Sequence, residues 1–265
     1  MYDSRNRRIH YLRISVTDRC NLRCTYCMPE EGVAIVPHAS ILTYEEIAEL
    51  VRQGVELGID KVRLTGGEPL LRRNIVDLVA TLAAIPGLRD LAMTTNACRL
   101  AELATPLKKA GLPRLNISLD TLDPARFTQN TRGGNLQEVL AGIEAARAAG
   151  FHPIKLNCVV TESPAEPDAL AVAAFGQARG LTVRYIRRMD TRQGRFWQVV
   201  GGEGGLCSAC NRLRVSSDGR IFPCLFNDSS YSIRELGARE ALLAAVRNKP
   251  HAGTASANRF YHMGG

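Results

Sequence analysis

Three cysteines lie close together near the beginning of the chain, in the run CNLRCTYC. Cys20, Cys24 and Cys27 are spaced so that all three thiolates can turn inward on one loop, and soft sulfur ligands suit iron–sulfur clusters or zinc. A closed structural zinc site uses four ligands, whereas a four-iron cluster held by three cysteines keeps one iron open. The spacing therefore predicts an iron–sulfur cluster; the alternatives are a zinc knuckle with a remote fourth ligand, or three unrelated thiols.

A second group of cysteines follows toward the other end of the chain, in the run CSACNRLRVSSDGRIFPC. Its members are Cys207, Cys210 and Cys224. They surround a predicted turn at residues 217–219, and their number again favours a cluster with one open iron. A zinc site completed by His251 or His262 is the alternative. Arg212 and Arg214, two residues apart in CNRLR, could hold an anionic substrate against the open iron.

The bulk composition indicates a globular protein. The chain has 265 residues, 45% of them hydrophobic, and no apolar run long enough to cross a bilayer. That length suits one barrel-type domain or two smaller ones. The first residues contain no apolar signal core, so we expect a cytoplasmic protein without a membrane partner. Because that compartment keeps thiols reduced, eight cysteines indicate metal ligation before disulfides.

A net charge of +8 favours a polyanionic partner. Arginine binds phosphate in a two-pronged fashion, which suits a nucleotide triphosphate. No nucleic acid is expected as partner, because the chain lacks an array of aromatic residues interleaved with basic ones. A non-catalytic metal-binding module that recognises nucleic acid stays open as an alternative.

Segments with the pattern of strands and helices alternate through the first two thirds of the chain. Predicted strands cover 9–16, 61–66, 90–96, 114–119, 154–160 and 182–189. Predicted helices cover 43–58, 74–86, 100–111, 135–150 and 168–180. Short connections between them predict a parallel sheet covered by helices, either open and doubly wound or barrel-shaped. The polar candidates follow strand ends, which favours the barrel.

The alternation stops at residues 190–206, which read DTRQGRFWQVVGGEGGL. This run is too short for another strand–helix unit, so we expect a connector that leads almost directly from the last strand to Cys207. Its GGEGG stretch lacks the Gly-Lys-Ser/Thr of a phosphate loop, which favours a flexible linker. The predicted divisions are therefore a barrel at 1–189, a connector at 190–206 and a cluster-bearing region at 207–265.

Several spaced motifs resemble one known family. Tyr26 before the third cysteine is typical of the radical S-adenosylmethionine superfamily. The runs YLRISVTDRCNLRCTYCMP, KVRLTGGEPLLRR, MTTN, NISLD, IKLN and CNRLR, with a final Gly-Gly, are similar to the GTP 3',8-cyclases of molybdenum cofactor biosynthesis. The resemblance implies an α/β fold, namely a partial (β/α)6 TIM-type barrel with a C-terminal iron–sulfur extension. It further implies a lyase that converts GTP to 3',8-cyclo-7,8-dihydro-GTP with two 4Fe–4S clusters, S-adenosylmethionine and an external electron donor.

The resemblance also implies roles for individual residues. The first cluster would be held by Cys20, Cys24 and Cys27, and the second by Cys207, Cys210 and Cys224. S-adenosylmethionine would be contacted by Tyr26, Gly66, Gly67, Glu68, Ser118 and Met189. GTP would be contacted by Arg13, Lys61, Arg63, Thr94, Lys155, Arg212 and Arg214. The tail, Gly264 and Gly265, would reach into the active site.

Plainer alternatives remain for some of these residues. Gly66 and Gly67 could form an ordinary tight turn, and Met189 could be core packing. Cys98 and Cys158 fit neither group and are expected to be buried free thiols. A radical enzyme that modifies a peptide is an alternative function, and a homodimer is left open.

The chain also departs from the family pattern. The segment 190–206 is shorter than the resemblance leads us to expect, so part of the pocket wall could be missing. Ala97 stands where the resemblance predicts glycine, and a turn that requires positive φ would strain it.

Overall fold

Six parallel strands form the centre of the molecule. The structure is a computed structural model and describes residues 1–258 and 260–263. The strands are β1 (Tyr11–Ser15), β2 (Lys61–Thr65), β3 (Asp90–Thr95), β4 (Arg114–Ser118), β5 (Ile154–Val160) and β6 (Thr182–Arg187). Each pairs in parallel with the next in sequence. Together with the intervening helices they make the predicted partial TIM-type barrel, and the predicted α/β class is confirmed.

Six helices connect these strands. They are α1 (Tyr44–Glu56), α2 (Ile75–Ala83), α3 (Leu100–Lys109), α4 (Pro124–Thr131), α5 (Leu136–Ala148) and α6 (Pro167–Ala178). Five of them match the predicted helices. The short helix α4 was not predicted, although Asp123 caps it by accepting a hydrogen bond from the Arg126 backbone N–H at 2.9 Å. Its eight mainly polar residues give little of the apolar periodicity on which helix prediction depends.

The carboxyl-terminal region continues the same sheet. It contains β7 (Arg212–Val215), β8 (Arg220–Phe222) and β9 (Tyr231–Ser232), followed by α7 (Ile233–Leu236), α8 (Ala238–Arg247) and α9 (Phe260–Met263). Strand β7 pairs in parallel with β1, whereas β8 and β9 are antiparallel additions. The turn predicted at 217–219 is confirmed as the β7–β8 hairpin turn. The strand order is therefore β6-β5-β4-β3-β2-β1-β7-β8-β9.

The core lies between the sheet and its covering helices. On β1, Leu12 and Ile14 are fully buried in it, together with Val62 and Leu64 on β2. Because side chains alternate along a strand, the residues between them point to the opposite, concave face. No helix in the described ranges is long and apolar enough to span a membrane.

The segment 190–206 does not run directly to Cys207, so that expectation is wrong. It doubles back on β6, because Tyr185 and Val200 form an antiparallel bridge. A second bridge joins Asp190 to Arg195 and closes a tight turn. The residues after this turn therefore lie against the end of the barrel as a wall.

The first helix offers a test of the local energetics. Thr43 Oγ1 accepts from the Glu46 N–H at 3.2 Å, and the Glu46 carboxylate accepts from the Thr43 N–H at 2.7 Å. We expect Thr43→Ala to lower the free energy of unfolding by about 1 kcal/mol, since it leaves a helix-end N–H without its cap. Denaturant midpoints measure this loss. Thr81→Ala, at an exposed position of α2, should change stability by less than about 0.5 kcal/mol; equal effects of the two would contradict the capping role.

Candidate functional site

The first three cysteines lie on the loop that follows β1. The loop folds on itself: the N–H groups of Cys27 and Met28 both donate to the Cys24 carbonyl, at 2.9 and 3.0 Å. Burial raises the pKa of Cys20 to about 11 and those of Cys24 and Cys27 to about 12. Such thiols become thiolates at neutral pH only beside a strong cation, so this donor set fits an iron–sulfur cluster.

The described residues contain no three His, Cys, Asp or Glu side chains that converge on a single metal ion. In a zinc knuckle the sulfur atoms meet at one tetrahedral ion. A cubane distributes its cysteines over different irons and does not require that convergence.

The turn Gly66-Gly67 packs against the backbone that leads into this loop. The Gly67 N–H donates to the Thr17 carbonyl at 2.7 Å, and the Glu68 N–H donates to the Arg19 carbonyl at 2.8 Å. A Cβ on Gly67 would lie 2.3 Å from the Arg19 carbonyl oxygen, closer than any real contact. The two glycines thus permit a close approach to the protein's own backbone; their contact with a cofactor stays a prediction.

Glu68 connects the ends of β2 and β3. Its carboxylate accepts from Thr95 Oγ1 and from the Asn96 N–H, both at 2.7 Å, and from the Leu70 N–H at 3.0 Å. Burial raises the pKa of Glu68 to about 7. Asn96 in turn directs its side-chain amide to within 3.9 Å of Cys20 Sγ. Glu68 therefore helps to position the first cluster site from below.

Tyr26 is fixed by a residue that the sequence analysis did not select. Its hydroxyl donates to Asp120 Oδ2 at 2.9 Å, and the Val159 N–H donates to Asp120 Oδ1 at 2.8 Å. Burial raises the pKa of Asp120 to about 6. Asp120 ends the run NISLD, at the carboxyl end of β4, where barrel enzymes place functional groups. That position at the end of a strand is the sequence feature from which a role for Asp120 could have been predicted.

Three further expectations concern Ala97 and Cys98, in the turn after β3, and Cys158 on β5. Ala97 has φ of 66°, so the chain indeed places alanine where the backbone favours glycine. Cys158 is a fully buried free thiol, as predicted. Cys98 is only half-buried, because it sits in the exposed mouth of this turn, where its N–H donates to Asn96 Oδ1.

A cavity of about 460 Å³ opens beside the first cysteine loop. Three of the residues predicted to surround the first cluster and S-adenosylmethionine line it, namely Tyr26, Cys27 and Met189. The others predicted to contact S-adenosylmethionine do not line it: Gly66, Gly67, Glu68 and Ser118. We call this space the cofactor cavity.

Cationic side chains stand side by side on the concave face of the sheet. Arg214, Arg13 and Arg63 are register partners across β7, β1 and β2, and Arg114 follows beyond Ala92. A parallel row two residues earlier places Arg212, Tyr11 and Lys61 together. Alternation along each strand puts both rows on the same face.

These rows line a second cavity, of about 330 Å³. The predicted GTP contacts in its wall are Arg13, Lys61, Arg63, Lys155, Arg212 and Arg214. Thr94 is not among the lining residues, although its Oγ1 is buried with no hydrogen-bond partner in the described ranges. We call this space the nucleotide cavity.

Sequence reasoning missed several polar residues of the nucleotide cavity. They are Tyr11, Arg114, Asn157 and Arg184. Residues an even number of positions apart on a strand face the same side of the sheet, and so do their register partners on the neighbouring strand. Each of these four residues is related in this way to a predicted contact, so strand alternation would have predicted it. Burial alone would raise the pKa of Tyr11, but four surrounding cations, above all Arg63 and Arg13, outweigh burial and lower it.

The electrostatics of the nucleotide cavity favour a polyanion. Burial and the neighbouring Arg114 and Arg212 lower the pKa of Arg63, which is only 6% exposed. Burial and Arg212 lower the pKa of Arg214 to about 10. The buried Nε atoms of Arg63, Arg184 and Arg212 have no hydrogen-bond partner within the described part of the chain. An anion placed here would satisfy those donors and relieve the mutual repulsion.

The second cysteine group forms one wall of the nucleotide cavity. Cys207, Cys210 and Cys224 all line it. Burial raises the pKa of Cys210, but the charges of Lys249 and Arg212 outweigh burial and lower it overall. Burial raises the pKa of Cys224, the third member. Three thiols in one wall beside two cations are a donor set that fits an iron–sulfur cluster.

Two buried cations hold the second group in place. Lys249, 4% exposed, donates through Nζ to the Arg212 carbonyl at 2.7 Å and the Pro223 carbonyl at 2.5 Å. Arg7 donates to the Cys207 carbonyl at 2.8 Å. The contacts of Lys249 join the part of the group that follows Cys210 to the part that precedes Cys224, and Arg7 ties Cys207 to the start of the chain.

His251 and His262 are the histidines considered as alternative zinc ligands. His251 is exposed, and its carbonyl accepts from Arg7. His262 Nε2 lies 3.6 Å from Asp218 Oδ1. The tail residues Gly264 and Gly265 lie outside the described residues, so their predicted approach to the active site is not described. Met263, immediately before them, is fully buried.

The comparisons with known proteins agree with this site. A family model described as the radical SAM superfamily matches residues 14–167. The GTP 3',8-cyclase of Moorella thermoacetica is 42% identical, with 93% of this chain and 91% of the relative covered. That of Geobacter sulfurreducens is 40% identical, with 99% and 97% covered.

Two solved structures share the fold at low sequence identity. Native anSMEcpe with bound AdoMet has a TM-score of 0.65 at 15% identity, covering 91% of this chain and 82% of that chain. Streptococcus suis SuiB bound to S-adenosylmethionine has a TM-score of 0.61 at 16% identity, covering 92% and 64%.

The barrel and the first cysteine loop define the class of a radical SAM protein. This class implies a 4Fe–4S cluster and S-adenosylmethionine as cofactors. The similarity to the curated relatives extends over nearly the whole chain. The family that these relatives share is more specific than the radical SAM class. The chain belongs to the GTP 3',8-cyclase family. Its alignment with the Geobacter relative spans 315 positions, 50 more than the 265 residues present here, so that relative has at least that many additional residues.

Replacing Gly67 tests the packing beneath the first cluster site. Because the added Cβ would collide with the Arg19 carbonyl, Gly67→Ala should displace the loop and lower stability by about 1–3 kcal/mol. The first cluster should also load with less iron. Electron paramagnetic resonance measures this loading, because the signal of the first cluster is the one that changes when S-adenosylmethionine is added. Gly180→Ala is the control for backbone strain without a steric clash: no atom lies within 4 Å of its Cβ position, and alanine at its φ of 66° costs about 1 kcal/mol. Full loading in Gly67→Ala would disprove the positioning role.

Replacing Lys249 tests the second site. Lys249→Met leaves the carbonyls of Arg212 and Pro223 buried without their donor, so stability should fall by about 2 kcal/mol or more. Iron bound by the second group should fall as well, while the first cluster is retained. The exposed Lys109→Met is the matched control. Unchanged iron content in Lys249→Met would contradict a role in holding this group together.

Proposed function

We propose that the protein is a GTP 3',8-cyclase. It binds GTP in the nucleotide cavity and S-adenosylmethionine beside the first cysteine loop, and it joins C3' of the ribose to C8 of the guanine. The observation that carries this proposal is the composition of a single cavity, in which the rows of cations and the second cysteine group face the same space. A nucleotide triphosphate has a polyanionic end and a base, which match these two parts.

The nucleotide cavity has an excess of positive charge that suits a triphosphate. Eight cationic side chains line the nucleotide cavity, against one carboxylate, Glu203, among the described lining residues. Asp90, which does not line the cavity, neutralises part of this excess positive charge. It lies 3.4 Å from Lys61 Nζ and accepts from Arg114 Nε at 2.7 Å. The remaining charge suits three linked phosphates, and the arginine forks fix their orientation.

The base lies toward the second cysteine group in this proposal. Arg212 and Arg214 stand between that group and the rows of β1 and β2. A cluster held by Cys207, Cys210 and Cys224 keeps one iron open, to which a ring atom of guanine can bind. Fixing both ends of GTP sets the distance between C3' and C8 before the reaction begins.

When bound, the first 4Fe–4S cluster and S-adenosylmethionine supply a radical capable of hydrogen abstraction, at the expense of an electron from an external donor. The abstracted hydrogen ends in 5'-deoxyadenosine, and the donor supplies the electron for the final reduction. The chain itself supplies placement. The bond between Tyr26 and Asp120 and the packing of Gly67 on Arg19 keep the loop of the first group at the barrel end.

Residues 190–206 take the place of a longer wall in this proposal. The additional residues of the Geobacter relative would then fall largely within this segment. Its glycine-rich part, Gly201 to Gly205, lines the nucleotide cavity directly. A continuous wall excludes water from a reaction that proceeds through reactive species.

Anaerobic reconstitution followed by product analysis tests the proposed function. The loaded protein should hold roughly eight iron and eight sulfide per chain and should convert GTP and S-adenosylmethionine to the cyclised nucleotide and 5'-deoxyadenosine. Cys24→Ala should retain GTP binding and the second cluster while losing 5'-deoxyadenosine formation. Cys98→Ala, outside both groups, is the control. Zinc without sulfide, or cleavage of S-adenosylmethionine by Cys24→Ala, would overturn the assignment.

A further inference from the structure

The cofactor cavity and the nucleotide cavity are neighbours with a narrow common boundary. Among the described residues, only Met189 and Trp197 line both cavities. Met189 lies two residues after the end of β6, whereas Trp197 belongs to the segment 190–206. A residue of that segment thus stands where the two cavities meet.

Trp197 is held in this position from several sides. The guanidinium of Arg187 lies 4.1 Å from the centroid of its ring. Arg187 Nε in turn donates to the Thr161 carbonyl at 3.3 Å, and Thr161 also lines the cofactor cavity. A Cβ on Gly205 would lie 2.0 Å from the Trp197 carbonyl oxygen, so only glycine permits this packing. The ring is therefore fixed by stacking and by the tight return of its own segment.

The chemistry of the ring suits a boundary between two nucleoside ligands. Tryptophan has a large apolar face that excludes water and can stack on a base, and its N–H can still donate a hydrogen bond. Arg187 covers one face of the ring, which leaves the opposite face and the ring edge available to ligands. The other residues of the cofactor cavity include the exposed cations Arg188, Arg192 and Arg195, which would admit water rather than exclude it.

We infer that Trp197 is the ligand-contacting partition between S-adenosylmethionine and the nucleotide. It contacts both ligands, keeps water from the space between them and limits hydrogen abstraction from anything but the bound nucleotide. This assignment rests on the proposed function. It also explains how a chain with a shortened wall separates its two cavities, because one large rigid side chain fills the gap.

The sequence provides a direct probe, since Trp197 is the single tryptophan of the chain. Its fluorescence in the reconstituted protein should change when S-adenosylmethionine is added, and again when GTP is added. Excitation at the red edge of the tryptophan absorption avoids both ligands. Equilibrium dialysis measures binding independently. Unchanged emission at concentrations where dialysis shows saturation by both ligands would overturn the inference.

Substitution provides the second arm. Trp197→Ala should raise the ratio of 5'-deoxyadenosine to cyclised nucleotide by about fivefold or more, the factor that one lost stacking contact represents. Trp197→Phe should restore most of the coupling. Val200→Ala is the matched control, on the same segment but 53% exposed and lining neither cavity. Iron content should equal that of the unaltered chain in all three variants, and loss of the contact with Arg187 should lower the melting temperature of Trp197→Ala by only about 2–4 °C.

The outcomes separate the two proposals. If the unaltered chain forms no cyclised nucleotide, the proposed function fails, and fluorescence with dialysis still decides whether Trp197 contacts the ligands. If the unaltered chain cyclises GTP and Trp197→Ala keeps the same product ratio with intact clusters, the partition is disproved while the function stands.

Discussion

Repulsion between buried cations is the constraint on which the rest of this structure depends. Arg214, Arg13 and Arg63 stand in register on three adjacent strands, at the spacing of a sheet, with Arg114 beyond them. Placing like charges together away from water costs free energy, which packing, partner groups in the protein or a bound anion can offset. The apolar face of the same strands supplies packing, since its leucines and isoleucines are fully buried beneath the helices. A polyanionic ligand in this cavity would offset the repulsion further.

The continuity of the sheet determines where the second cluster site lies. Because β7 pairs in parallel with β1, the carboxyl-terminal cysteines reach the same cavity as the amino-terminal strands. Lys249 and Arg7 fix this arrangement by donating to backbone carbonyls beside the cysteines. The two cluster sites differ in their surroundings. Burial dominates around the first group and raises the pKa of its thiols, whereas cations near Cys210 lower that of its thiol. Burial still raises the pKa of Cys224 in the second group, so metal binding must displace protons from buried thiols at both sites.

The shortened segment shows how much of a wall a few residues can supply. Its glycines fold tightly against β6, and Trp197 fills the boundary between the two cavities. A longer insertion would provide more area, but exclusion of water depends on continuity rather than on length.

Much of the architecture was determined by the sequence itself. Alternating strand and helix patterns located the six parallel strands and five of the six connecting helices, because apolar periodicity is a local property. The spacing of the cysteines predicted two groups of three. The cations assigned to GTP, such as Arg13 and Arg63, were recognised through the family resemblance of the motifs that contain them. Helix α4 was missed because it is short and polar.

Only the tertiary structure decided which of these residues meet. The pairing of β7 with β1 joins residues about two hundred positions apart, and no local pattern specifies that contact. The same holds for Asp120 beneath Tyr26 and for Lys249 behind the second cysteine group. The segment 190–206 has no periodicity of its own, so its return onto β6 depends on the surface that the rest of the chain presents. Local periodicity determines the secondary-structure elements. Contacts between residues distant in sequence form only when those elements pack together around the completed sheet.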